Sequence, residues 1–95
     1  MKEQIKNDTR EITLDNGLTL RIDEGAMDDM ELLDLLAQLD DGNGYAIPRV
    51  VEHLLGKEQK KKLYDAVRVN GRAKVTAVVD AMKEILDKLG ETGKN

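Results

Sequence analysis

The triplet Asp15-Asn16-Gly17, set between two alternating apolar runs, constrains this chain more than any other feature. Ile12-Thr13-Leu14 precedes it and Leu18-Thr19-Leu20-Arg21-Ile22 follows it, a pattern that predicts a β-hairpin over residues 10–22. A two-residue Asn16-Gly17 loop would pair Leu14 with Thr19 and Thr13 with Leu20, scattering apolar side chains over both faces. A three-residue loop instead pairs Leu14 with Leu18, Ile12 with Leu20, Thr13 with Thr19 and Glu11 with Arg21. One face is then apolar and the other polar. This is a type I turn closed by a G1 bulge, with Gly17 in the left-handed conformation that a side chain would penalise. A two-stranded ribbon is marginal alone, so its Leu/Ile face must lie on the rest of the chain.

The pattern then changes to helical periods. Asp28 and Glu31 have the spacing of a capping box, and Met27 with Leu32 that of a hydrophobic staple, which places an N-cap at Asp28. Leu32, Leu33, Leu35, Leu36 and Leu39 span roughly 160° at ~100° per residue, wider than one buried stripe requires. Asp40-Asp41-Gly42-Asn43-Gly44 is a loop by composition. Ile47, Val50, Val51, Leu54 and Leu55 predict a second helix, with Pro48 near its start and Gly56 closing it. A third runs from about Lys57 to Val69 with Leu63, Tyr64, Ala66 and Val67 inward, and Asn70-Gly71 stops it. The last has the clearest period: Val75, Val78, Val79, Met82, Ile85, Leu86 and Leu89, ended by Gly90. The expected fold is mainly α (α+β), an N-terminal β-hairpin followed by a compact bundle of about four short helices over residues 28–89. It forms one domain spanning residues 1–95, with residues 1–9 a loose arm and 90–95 a flexible tail.

With no Cys, no Trp and no Phe among 95 residues, the core must be closed by Leu, Val and Ile, and disulfides, thiolate metal sites and cysteine nucleophiles are excluded. The single His, His53, lies near the polar edge of the second helix and reads as a partly buried structural residue. An EF-hand register from Asp41 puts Tyr45 at the fifth position and Ala46 where the sharp turn needs Gly, so the calcium pattern fails. Gly42 and Gly44 do not follow a strand and make no dinucleotide loop. No catalytic constellation, metal set or cofactor motif is present, and the expectation is a non-enzymatic protein.

Charge is divided along the chain. Residues 1–50 hold twelve acids and five bases, residues 51–95 seven acids and ten bases. From Asp23 to Asp41 there are eight acids and no base, while Lys57, Lys60, Lys61 and Lys62 form a basic cluster. Solvated faces account for most such charges, and docking between acidic and basic faces is the functional alternative. Net charge is −4 and Tyr45 and Tyr64 are the only aromatics, which argues against nucleic acid. No apolar run approaches the roughly 20 residues of a membrane span, and Lys2 to Arg10 is too polar for a signal peptide, so neither membrane insertion nor export is expected. The wide stripe of the first helix and the apolar face of the last supply a candidate partner or oligomer surface: Leu32, Leu35, Leu36, Val75, Val78, Met82 and Ile85. For most of these, burial in the chain's own core is the commoner role.

The order of several soft motifs resembles a known family. These are the Ile12-to-Leu20 hairpin, Asp28-Asp29-Met30-Glu31-Leu32-Leu33-Asp34-Leu35-Leu36, the Asp41-Gly42-Asn43 loop, Leu54-Leu55-Gly56-Lys57-Glu58-Gln59-Lys60-Lys61-Lys62-Leu63, Asn70-Gly71-Arg72 and a final helix before Lys94-Asn95. Together they resemble the tail assembly chaperones of long-tailed phages and prophages of Gram-positive bacteria. The resemblance implies a protein of the bacterial host cytoplasm, absent from the mature virion, that binds the tape-measure protein and keeps it soluble while the tail tube is built. It also implies self-association and a longer frameshifted form that meets the major tail tube protein. It carries no catalytic residues over. A small protein-interaction or regulatory module, antitoxin-like or a DNA-binding regulator, is the alternative.

Overall fold

The computed structural model of the chain describes residues 9–93. Two antiparallel strands, β1 (Thr9–Thr13) and β2 (Thr19–Asp23), lead into α1 (Met30–Asp40), α2 (Ile47–Val67) and α3 (Val75–Gly93). The strand register is the one derived from the turn: Glu11 opposite Arg21, Ile12 opposite Leu20, Thr13 opposite Thr19. Gly17 sits at φ 92°, the Gly17 N–H donates to the Leu14 carbonyl over 2.8 Å, and Leu14 N–H donates to Leu18 O over 2.9 Å. Asn16 Oδ1 accepts from Leu18 N–H, tightening the loop. Ile12, Leu14, Leu20 and Ile22 are all buried, so the apolar face of the ribbon is covered as its instability alone requires. Thr9, assigned to the arm by composition, opens β1, and residues 1–8 lie outside the described residues.

The first helix starts one residue later than the capping-box spacing predicts. Asp28 closes a 3₁₀ turn over Glu24–Met27, and Asp29 is the N-cap, its carboxylate accepting from the N–H groups of Glu31 and Leu32. Met27 is exposed, and with Asp29 as the N-cap it no longer holds the staple position, which falls to Asp28. The helix ends in a Schellman motif: Gly42, at φ 94°, donates to Leu39 O, and Asn43 N–H donates to Gln38 O. Helix termination therefore accounts for the Asp41-Gly42-Asn43 loop.

There are three α-helices among the described residues, where sequence periodicity predicts about four. The expected second and third are the two arms of α2, joined at Gly56 alone. Gly56 has φ 80° and ψ 167°, a conformation open essentially only to glycine, and it turns the chain without a loop. Side chains close the bend from both sides. Gln59 Nε2 donates to Leu55 O across it, and Lys60 Nζ lies 2.6 Å from Glu52 Oε1, tying one arm to the other. Gln59 also uses its amide as a strand would. Its Oε1 accepts from Arg21 N–H and its Nε2 donates to Arg21 O, each over 2.7 Å, which blunts the edge of β2.

Gly90 does not end α3, because it is not in the left-handed region and the helix continues to Gly93. Residues 90–93 thus belong to α3, and 94–95 lie outside the described residues. Glu84 and Lys88 clamp α3 to the hairpin: Glu84 Oε2 accepts from Asp15 N–H over 2.8 Å and Lys88 Nζ donates to Thr13 O over 2.6 Å. The core is a continuous aliphatic cluster drawn from every element, including Leu32 of α1, Val50, Val51, Leu54, Leu55 and Leu63 of α2, and Val78, Met82, Ile85 and Leu89 of α3. Among the described residues no polar side chain is buried, and no helix is long and apolar enough to cross a membrane.

Candidate functional site

The bend at Gly56 has a consequence for the surface. Pro48 and Tyr64 stand at opposite ends of α2, and a straight helix would hold them about 24 Å apart. Both instead line one open apolar groove of about 600 Å³, together with Tyr45, Ile47, Val75 and Val78. Arg68 and Ala73 complete its mouth. The far wall is set by the connection to α3. Arg68 leaves the helix in an extended conformation, and Asn70 and Gly71, at φ 54° and 80°, turn the chain so that Val69 and Arg72 exchange backbone hydrogen bonds. Positive φ at two successive residues is the signature of a type I′ turn, which Asn-Gly favours. Tyr45 is 90% exposed and Val75 65% exposed at this groove, while Val78 forms its buried floor.

Of the seven residues named as a candidate partner surface, the structure places Leu32, Val78, Met82 and Ile85 in the chain's own core and leaves Leu35 and Leu36 half-buried against it. Only Val75 stands open. A charge at Val78 or Met82 would therefore test folding before it tested binding. Other exposed apolar side chains lie on the outer side of α1 (Met30, 69%, and Leu33, 59%), at the groove (Tyr45) and on the turn that leads to α3 (Val69). Sequence periodicity missed the groove because its walls come from three segments distant in the chain. The width of the α1 stripe was the visible signal for Leu33.

His53 is half-buried, as expected, and its partner is newly seen. Its Nε2 donates to Asp29 Oδ2 over 2.7 Å, linking α2 to the N-cap of α1. With Glu31, these two groups bring three ligand-type atoms within 4.8 Å of one another. Helix capping explains the cluster: one Asp29 oxygen takes the backbone N–H groups and the other takes His53, at a helix end whose dipole repels a cation. The hydrogen bond from His53 holds the Asp29 carboxyl below the usual carboxylate range. Glu52 is lowered in the same direction by Lys60, whose own value is raised. A carboxyl depressed in the folded state stabilises the fold above its ordinary value and loses that contribution as pH falls through the folded one. Stability is therefore expected to drop in acid below about pH 4. Asp29→Asn retains a capping oxygen but removes the charge, and is expected to flatten that acid limb in melting curves recorded across the range.

The arms of α2 do not form a helix-turn-helix, which joins its helices through a turn of three to four residues rather than one. Comparison with protein-family models, with curated proteins and with solved structures gives no match for this chain.

Proposed function

We propose that this chain is a tail assembly chaperone that receives an apolar helical face of the tape-measure protein in the groove between α2 and the start of α3. The observation that carries the reading is that groove: an apolar surface left open by a chain whose core is already closed by its own aliphatic side chains. Its walls are helix ends and tyrosine rings, the surroundings in which an amphipathic helix buries one side. The order of the hairpin, the acidic first helix, the Leu54-to-Leu63 segment and Asn70-Gly71-Arg72 supports the same reading. On it the protein acts without catalysis, in the cytoplasm of a bacterial host, is left out of the mature virion, and meets the tail tube protein only through a longer frameshifted form.

Co-expression with the tape-measure gene of the same locus tests this. The tape-measure protein is expected to stay soluble and to co-purify with many copies of the chain, and Val75→Asp, an exposed change, to lose the complex. Precipitation of the tape-measure protein regardless of the chaperone would discard the reading in favour of a helical interaction module with another partner.

A further inference from the structure

Two features of α1 run against what its own stability favours. The first is charge. Asp40 and, at the C-cap, Asp41 stand at the end where the helix dipole disfavours a carboxylate, and the last turn holds no base. No base of the chain comes to meet the acids of this helix either: among the described residues, Glu31, Asp34, Asp40 and Asp41 make no ion pair. Carboxylates on the other helices are answered, Glu52 by Lys60, Asp65 by Arg68 and Glu84 by Lys88.

The second is an apolar stripe in the same place. Met30, Leu33 and Ala37 are exposed, and none of them lines the groove. At ~100° per residue these three fall within about 60° of one another, with Asp40 about 20° beyond Leu33 on one flank and Asp34 about 40° beyond Met30 on the other. Leu32, Leu35, Leu36 and Leu39 face the opposite way and hold the helix to the core. The stripe is thus bracketed by carboxylates, within a stretch from Asp23 to Asp41 that holds eight acids and no base.

We propose that the outer face of α1 is a second docking surface, and that its occupant is a basic amphipathic helix of a partner protein, a segment other than the one the groove takes. Apolar side chains of that helix lie on Met30, Leu33 and Ala37, and lysine or arginine side chains on its two flanks reach Asp34 and Asp40. Docking covers the stripe and supplies the cations that the α1 carboxylates lack, so both unfavourable features are relieved by one partner. Met30 is unbranched and adapts to apolar side chains of different shape. The same carboxylates repel nucleic acid phosphates and anionic lipid headgroups, which leaves a cationic protein segment as the matching chemistry. Groove and face differ in charge, Arg68 bordering the one and acids the other, so a single kind of segment does not serve both.

The probe is a synthetic helical peptide with leucines at i, i+3 and i+7 flanked by lysines, titrated with the full chain and followed by fluorescence anisotropy. It is expected to bind, and to bind more weakly as salt rises. Two control peptides, one with glutamate for every lysine and one with the same residues in scrambled order, are expected to bind at least about tenfold more weakly. Leu33→Gln, at an exposed position, is expected to weaken the lysine peptide by about tenfold or more, and Val75→Asp to leave it unchanged. Asp34→Lys/Asp40→Lys is expected to melt at a higher temperature than the parent, because it removes unanswered acids, and to prefer the glutamate peptide. Absence of binding, equal binding of the ordered and scrambled peptides, or binding indifferent to Leu33→Gln overturns the proposal. Loss of binding in Val75→Asp overturns it by placing the peptide in the groove. Self-association of the wild-type chain that Leu33→Gln abolishes overturns it by placing a second copy on α1.

Discussion

Ile85→Ala is expected to lower stability by about 2–5 kcal/mol, the range for removing a large aliphatic side chain from a closed core. Ile85 is 1% exposed at the centre of α3, within the cluster that joins the hairpin, α1 and α2. Of the two aromatics, Tyr45 is exposed and Tyr64 packs at the edge of the core beside the groove, so the cluster around Ile85 is aliphatic. For a chain of this size the change corresponds to a fall of roughly 10–30 °C in melting midpoint. Leu33→Ala, on the outer side of α1, is expected to stay within about 0.5 kcal/mol of the parent. Thermal melts of the two variants separate a residue of the core from one of the surface, a distinction that helical periodicity alone could not draw between these positions.

Gly56→Ala is the second large effect, and its mechanism is conformational. A Cβ at this position would meet nothing within 4 Å, so crowding is not the cost. The cost lies in φ 80° with ψ 167°, which a residue with a side chain occupies only at about 1–3 kcal/mol. Alanine relieves that strain by running the helix straight, and it is the best helix former. A straight α2 would withdraw Leu63 from the core, break the Glu52–Lys60 link and separate Pro48 from Tyr64, dismantling the groove. Denaturant unfolding is expected to show a lower midpoint, and capture of the tape-measure protein is expected to fall with it.

The parts of the fold that were legible in the sequence are those decided by local geometry. Asp15-Asn16-Gly17 set the strand register because only one loop length keeps Ile12, Leu14, Leu20 and Ile22 on one face, and that register is observed. The period of α3 marked out one apolar face but not its use: Val78, Met82, Ile85 and Leu89 are buried in the chain's own core, while Val75 at the start of the same face is exposed. The N-cap was missed by one residue because Asp28 and Asp29 are both competent caps. The choice is tied to tertiary structure, through the hydrogen bond from His53, 24 residues away. Gly56 was legible as an interruption between two apolar helical segments, but whether such a glycine begins a loop or bends a helix depends on what seals the break. Here Gln59 and Lys60 do so. The groove was hidden because Tyr45, Tyr64 and Val75 become neighbours only through that bend and the Asn70-Gly71 turn.

The central claim is that the groove opened by the Gly56 bend is where this chain meets the tape-measure protein. Because the chain has no cysteine of its own, disulfide trapping tests this directly. Val75→Cys and Leu33→Cys chains, each oxidised separately with a tape-measure segment carrying a single cysteine, are expected to form the mixed disulfide mainly at position 75, in the groove, and little at position 33, on the outer side of α1. Mixed disulfide formed equally at positions 75 and 33, or at neither, would contradict the account.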